Sequence, residues 1–161
     1  MEGRGNFQNS AELKALVRQG IEDGTSRMVV DLQRCSGMDS TFMGMLSCVA
    51  VKLEDAGGCL EVVNAAGKNG ELLRGLGLDE VFSVVDGTDP VAQGAAVSGP
   101  GSGLPEVMTT LPPIPCSRQD QRVICLEAHE ALAGIKEANA EKFRDVIHLM
   151  RQDKEPAGAA H

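Results

Sequence analysis

The stretch Val29-Val30-Asp31-Leu32-Gln33-Arg34-Cys35-Ser36-Gly37-Met38-Asp39-Ser40-Thr41-Phe42-Met43-Gly44 decides how the chain is read. It opens as an apolar run, passes through a polar loop, and reaches an acid and two hydroxyls where a helix should begin. Met28-Val29-Val30 with Leu32 is nearly continuously apolar, a pattern that suits a central strand buried on both faces. Beyond Asp39-Ser40, residues Phe42, Met45, Leu46, Val49 and Leu53 recur on one helical face, and Ala56-Gly57-Gly58 ends the helix. Met43, Ser47, Val51 and Glu54 fall on the outer face, and an outward Met43 suits an adaptable contact surface. A hydroxyl at a helix start can cap the helix by accepting a backbone N–H. It can also carry a phosphate that the helix end stabilises. The residues alone leave both open.

On the N-terminal side, Glu2 to Phe7 reads as the end of a strand running into a turn, with hardly any strand before it. Asn9 or Ser10 is the expected N-cap, with Glu12 placed three residues after Asn9 as in a capping box. Leu13, Leu16, Val17 and Ile21 then mark an amphipathic helix over 10–22, closed by Asp23-Gly24-Thr25. On the C-terminal side, Cys59-Leu60-Glu61-Val62-Val63 is the next strand. Leu72, Leu73 and Leu76 form the buried edge of a short helix closed by Gly75 and Gly77, and Val81 to Val85 is a further strand. Short strands alternating with single helices predict an α/β domain over 1–86, with about four mostly parallel strands covered by helices.

The composition then changes. Six of the seven prolines fall between Pro90 and Pro115, in company with many glycines, so 87–121 is expected to be a flexible linker. Helical periodicity returns over 122–153. Ile124, Ala128, Leu132, Ile135, Asn139, Phe143, Val146, Ile147 and Met150 form a stripe on one long helix, and 154–161 is expected to be a disordered tail. The stripe must be buried, either on the chain's own domain or in a homodimer. An Asn within it is compatible with a register-setting coiled-coil position.

Composition also excludes function classes. With no Trp, no Tyr and four Phe, the chain lacks the stacking platforms of a single-strand nucleic-acid binder. Its net charge of −8 disfavours nucleic acid and anionic membranes as partners. No run is long enough to span a membrane and residues 1–20 carry no signal-peptide pattern, so a cytoplasmic protein is expected. Cys35, Cys48, Cys59, Cys116 and Cys125 form no C-x-x-C pair and read as reduced structural thiols. No histidine groups with a cysteine at metal-ligand spacing, and Asp31 with Asp39 is a weak Mg²⁺ signal. No phosphate-binding glycine loop or G-x-S-x-G elbow occurs, and no base stands near Ser40 in the sequence. Neither enzymatic activity nor a cofactor is expected.

Several features in fixed order resemble the STAS domain, the fold of bacterial anti-sigma-factor antagonists. They are a strand ending in Val30-Asp31-Leu32, then Met38-Asp39-Ser40-Thr41-Phe42-Met43-Gly44 opening a helix, and Gly57-Gly58 before a strand ending in Val63-Asn64. Leu72-Leu73 with Gly75-Leu76-Gly77-Leu78 before Val81-Phe82 completes the set, over roughly 3–86. The resemblance implies a non-enzymatic regulator in which Ser40, with Thr41 as the competing acceptor, is phosphorylated. The modifying partner would be an anti-sigma factor that is also a serine kinase of the histidine-kinase-like ATPase type. Phosphorylation would release that partner, and a PP2C-type phosphatase would restore binding. The implied contact surface comprises Asn6, Asn9, Ser10, Gly37, Met38, Asp39, Ser40, Thr41, Met43 and Gly44. STAS-like domains also serve as non-phosphorylated subunits of lipid-transport ATPases, and a nucleotide-binding module is a third option. The chain departs from the pattern at Thr41-Phe42, in place of the more usual Ser-Gly. It departs again at a first strand nearly absent before Gly3, which suggests a displaced start or a trimmed N-terminus.

Overall fold

A computed structural model describes residues 2–87 and 117–152. The expected linker and tail therefore lie mostly outside the described residues, as does Cys116. The described chain runs β1 (Glu2–Gly5), α1 (Phe7–Glu22), β2 (Arg27–Asp31), β3 (Arg34–Met38), α2 (Ser40–Asp55), β4 (Cys59–Val63) and α3 (Gly67–Gly75). A 3₁₀ turn (Leu78–Glu80), β5 (Ser83–Val84), α4 (Arg118–Ile135) and α5 (Glu137–Gln152) follow. The architecture is α/β, with small parallel sheets covered by helices, as the alternation implies.

Sheet order corrects two expectations. β2 pairs with β4 and β4 with β5, all parallel, so β4 is the centre and β2 lies at the edge. Val29 is accordingly 47% exposed, not buried on both faces. The expected polar loop over 33–38 is a strand: β3 pairs in parallel with β1, from Glu2↔Arg34 to Gly5↔Met38. Only Leu32 and Gln33 separate β2 from β3, and Leu32 N–H donates to Val63 O at 3.0 Å. The path from Arg27 to Met38 thus pairs first with β4 and then with β1. Arg27 locks β2 to β4 from the side, its guanidinium donating twice to Glu61 at 2.8 Å.

α1 begins three residues earlier than expected because its cap is Asn6. The Asn6 side chain accepts from Gln8 and Asn9 N–H, and the Asn9 side chain returns the bond to Asn6 N–H. Ser10, one of the expected caps, is buried, its hydroxyl donating back to Asn6 O at 3.0 Å. α1 ends as expected, with Gly24 at φ 77. The core gathers Val17 of α1, Phe42, Met45, Leu46, Val49 and Leu53 of α2, Leu60 and Val62 of β4, and Leu73 and Leu78. It is aliphatic, as a chain this poor in aromatics requires.

The single long C-terminal helix is corrected to two. Ser117 and Asp120 form a capping box that starts α4, and Lys136, extended at φ −140 and ψ 147, ends it. α5 then folds back along α4. The His129 and Phe143 rings meet edge to face, 5.4 Å apart, and Arg151 donates to Glu130 at 2.7 Å. Asn139 holds the corner, its amide donating to Leu76 O at 2.9 Å and Leu132 O at 3.0 Å. It is a tether between α5, α4 and the end of α3, not a coiled-coil register position. Ile124, Leu132 and Phe143 of this hairpin join the same core as α1, α2 and β4. The hairpin therefore packs on the chain's own domain.

Candidate functional site

Because β1 and β3 are parallel and end together at Gly5 and Met38, the helices that follow them start side by side. Asp39 N–H donates to Gly5 O at 2.9 Å, which ties the two starts. The segments Asn6–Ser10 and Gly37–Thr41, expected to share one surface, are two strand-to-helix junctions and are thus neighbours at the carboxyl edge of the strands, where ligand sites in open α/β sheets gather.

At the α2 start the two expected roles divide between two residues. Asp39 is the cap, accepting from Phe42 N–H at 2.8 Å. Ser40 is the first helical residue, and its hydroxyl is committed elsewhere. Ser40 Oγ lies 3.0 Å from His129 Nε2, while His129 Nδ1 lies 2.6 Å from Cys125 O. A carbonyl can only accept, so Nδ1 carries the proton in the neutral ring and Nε2 accepts from the Ser40 hydroxyl. Thr41 Oγ1 donates to Cys125 Sγ at 3.6 Å. Both candidate phosphate acceptors therefore face α4.

Contact continues down α2. Gly44 and Ala128 touch through their backbones, and a Cβ at Gly44 would collide with the Ala128 carbonyl. Glycine inside a helix costs about 1 kcal/mol relative to alanine, so this close approach is what position 44 is built for. At the next turn Cys48 Sγ donates to Glu127 O at 3.7 Å. The Glu127 carboxylate pairs with Lys14 of α1 and with Lys52 of α2, the latter at 3.4 Å. Burial opposes ionisation of Glu127, but the two lysines outweigh it and hold its carboxyl below the usual carboxylate range. Burial, with Glu127 beside it, pushes the Cys48 thiol up to about 11, so the thiol stays protonated.

Of the residues expected to form a partner surface, Asn6, Asn9, Gly37, Asp39 and Ser40 are half-buried at one edge of the molecule. Ser10, Met38, Thr41, Met43 and Gly44 are buried, and so is Ser47; for Met43 and Ser47 this corrects the expected outer-face position. Met43 packs in the core and does not point outward. The expectation that Ser40 has no base nearby is corrected too, by His129 from 89 residues away. His129 carried one usable signal, its place beside Ala128 on the buried stripe. A serine hydroxyl on an imidazole nitrogen is the start of a nucleophile, but His129 is buried, and neither of two surface grooves among the described residues includes Ser40 or His129. Asp31 and Asp39 are occupied separately. Asp31 accepts from Asn64 at 2.7 Å and Gln33 N–H at 2.8 Å. Among the described residues no group of three potential ligands could hold a metal ion, and no helix is long and apolar enough to cross a membrane.

The chain forms a parallel α/β unit with adjoining helix starts, the second opened by Asp39-Ser40. The family described as "Mlab, STAS domain" matches residues 1–86, and the chain belongs to the STAS-domain family. A search of curated proteins finds none that matches.

Proposed function

We propose that the protein is a non-enzymatic, cytoplasmic signalling protein, an anti-sigma-factor antagonist that works by partner switching. It binds an anti-sigma factor that is also a serine kinase of the histidine-kinase-like ATPase type. Phosphorylation of Ser40 releases that partner, and a PP2C-type phosphatase resets the cycle. The carrying observation is the position of Ser40, first in α2 and directly after an aspartate that already serves as the cap. A helix leaves its first N–H groups without intrahelical partners, and those groups with the helix dipole favour a phosphate. The modification adds about −1.5 to −2 charge at a contact surface without unfolding the domain, and like charges across an interface can cost several kcal/mol. Incubation with the cognate kinase and ATP tests this. Wild type should be phosphorylated and Ser40→Ala should not. Equal labelling of the two, or equally tight partner binding by unmodified and phosphorylated protein, refutes it.

The engagement of Ser40 by His129 favours a second reading, a constitutive, non-phosphorylated subunit of a larger assembly such as a lipid-transport ATPase. A stable complex isolated from cells and indifferent to Ser40→Ala would select it.

A further inference from the structure

For partner switching, Ser40 must reach a kinase, yet α4 lies on it. We propose that α4 is a displaceable occupant, in cis, of the partner-binding face of α2. What replaces it is a helix of the partner protein with a small residue against Gly44 and a hydrogen-bond acceptor against Ser40. The identity of the competitor rests on the partner-switching reading; the displaceability of α4 is a property of the contact itself.

Three observations carry this. First, the contact is built for a helix. His129 meets Ser40, Cys125 meets Thr41, Ala128 meets Gly44 and the Glu127 carbonyl meets Cys48, so one turn of α4 lies across the first two turns of α2. The nearest atoms that a Cβ at Gly44 would meet are the backbone of Ala128, so the glycine admits α4 at this point. Second, the contact is mixed in polarity. A hydroxyl on an imidazole, a hydroxyl on a thiol and two lysines on one carboxylate lie among its apolar contacts, with His129 and Thr41 of the first two buried. Each of these groups can be hydrated on separation, as in interfaces between parts that come apart. Third, among the described residues every strand lies within 2–84 and none is in α4, so α4 can leave without breaking a described β-ladder.

The consequence for Ser40 is direct. Phosphoryl transfer needs the hydroxyl oxygen in line with a γ-phosphate and its proton free to leave to a base. In the closed arrangement the hydroxyl is turned onto His129 Nε2, 3.0 Å away, and α4 fills the approach that a γ-phosphate would need. Phosphorylation then proceeds from the open state, and partner affinity is reduced by the closed fraction. The partner's helix must outcompete a helix held on the same chain.

The test uses the full chain carrying Ala128→Arg, whose side chain cannot fit against Gly44, and a fluorescent peptide of residues 117–152. The variant should bind the peptide in trans at least tenfold more tightly than wild type, by anisotropy. Iodoacetamide should alkylate its Cys48 at least tenfold faster. Equal peptide binding by the two proteins, or Cys48 equally protected in both, overturns the proposal. If Ala128→Arg fails to fold by circular dichroism, the double variant Glu127→Gln/His129→Ala takes its place, and the same two measurements support or overturn the proposal in the same way. With the kinase present, opening should raise the rate of Ser40 phosphorylation about tenfold, and equal rates sink the gating. Tight peptide binding with no phosphorylation of either protein would refute the partner-switching reading and leave the displaceable helix standing.

Discussion

Ser40 and Glu127 show how single side chains set the state of the site. Glu127 joins three helices through Lys14 and Lys52, at about one-third side-chain exposure. Its carboxyl is held below the usual range in the fold, so its contribution to stability is present above that range and is lost as pH falls through the folded value. Glu127→Gln should therefore destabilise the protein at pH 7 by up to about 1 kcal/mol, the scale of partly exposed ion pairs. The gap from wild type should close in acid. Urea unfolding at neutral and at acid pH measures it, and a gap unchanged in acid would contradict this role for Glu127. At this scale the sequence shows Asp39-Ser40 plainly, because an acid and a hydroxyl at a helix start have few other uses. It does not show His129, whose partner is 89 residues away and leaves no local pattern.

The elements divide by how much of their shape is local. α2 and β4 are legible from periodicity and flanking glycines, and so is the end of α1. β3 is not, since Arg34-Cys35-Ser36-Gly37-Met38 neither alternates nor carries β-branched residues, and only pairing with β1 makes it a strand. The start of α1 is ambiguous in sequence because Asn6 and Asn9 can both cap a helix, and the tie of β1 to β3 selects Asn6. The break at Lys136 is invisible because one extended residue leaves the apolar stripe nearly in phase and lysine is a good helix former. Asn139 makes that corner stable. Asn139→Ala should leave Leu76 O and Leu132 O without that donor and cost about 1–3 kcal/mol. Thermal melting of the variant measures the loss; no change in midpoint would show that the corner holds without it.

As a whole, the molecule is a small parallel α/β domain with a helical hairpin laid over the helix that follows its second sheet pairing. The hairpin contributes Ile124, Leu132 and Phe143 to the common core, yet no strand. Its amides should therefore exchange through a partial opening of lower free energy than those of α2 and β4. Hydrogen exchange followed by mass spectrometry would show α4 and α5 losing protection first. Identical protection across all four elements would mean that they open only together. The order of the chain carries one more consequence. Thr41 and its α4 partner Cys125 are 84 residues apart. At a synthesis rate of roughly 5–20 residues per second, α2 leaves the ribosome about 4–17 seconds before the helix that covers it. Every newborn copy thus passes through a few seconds bare, and a partner stationed near the ribosome could claim that face before the chain closes on itself.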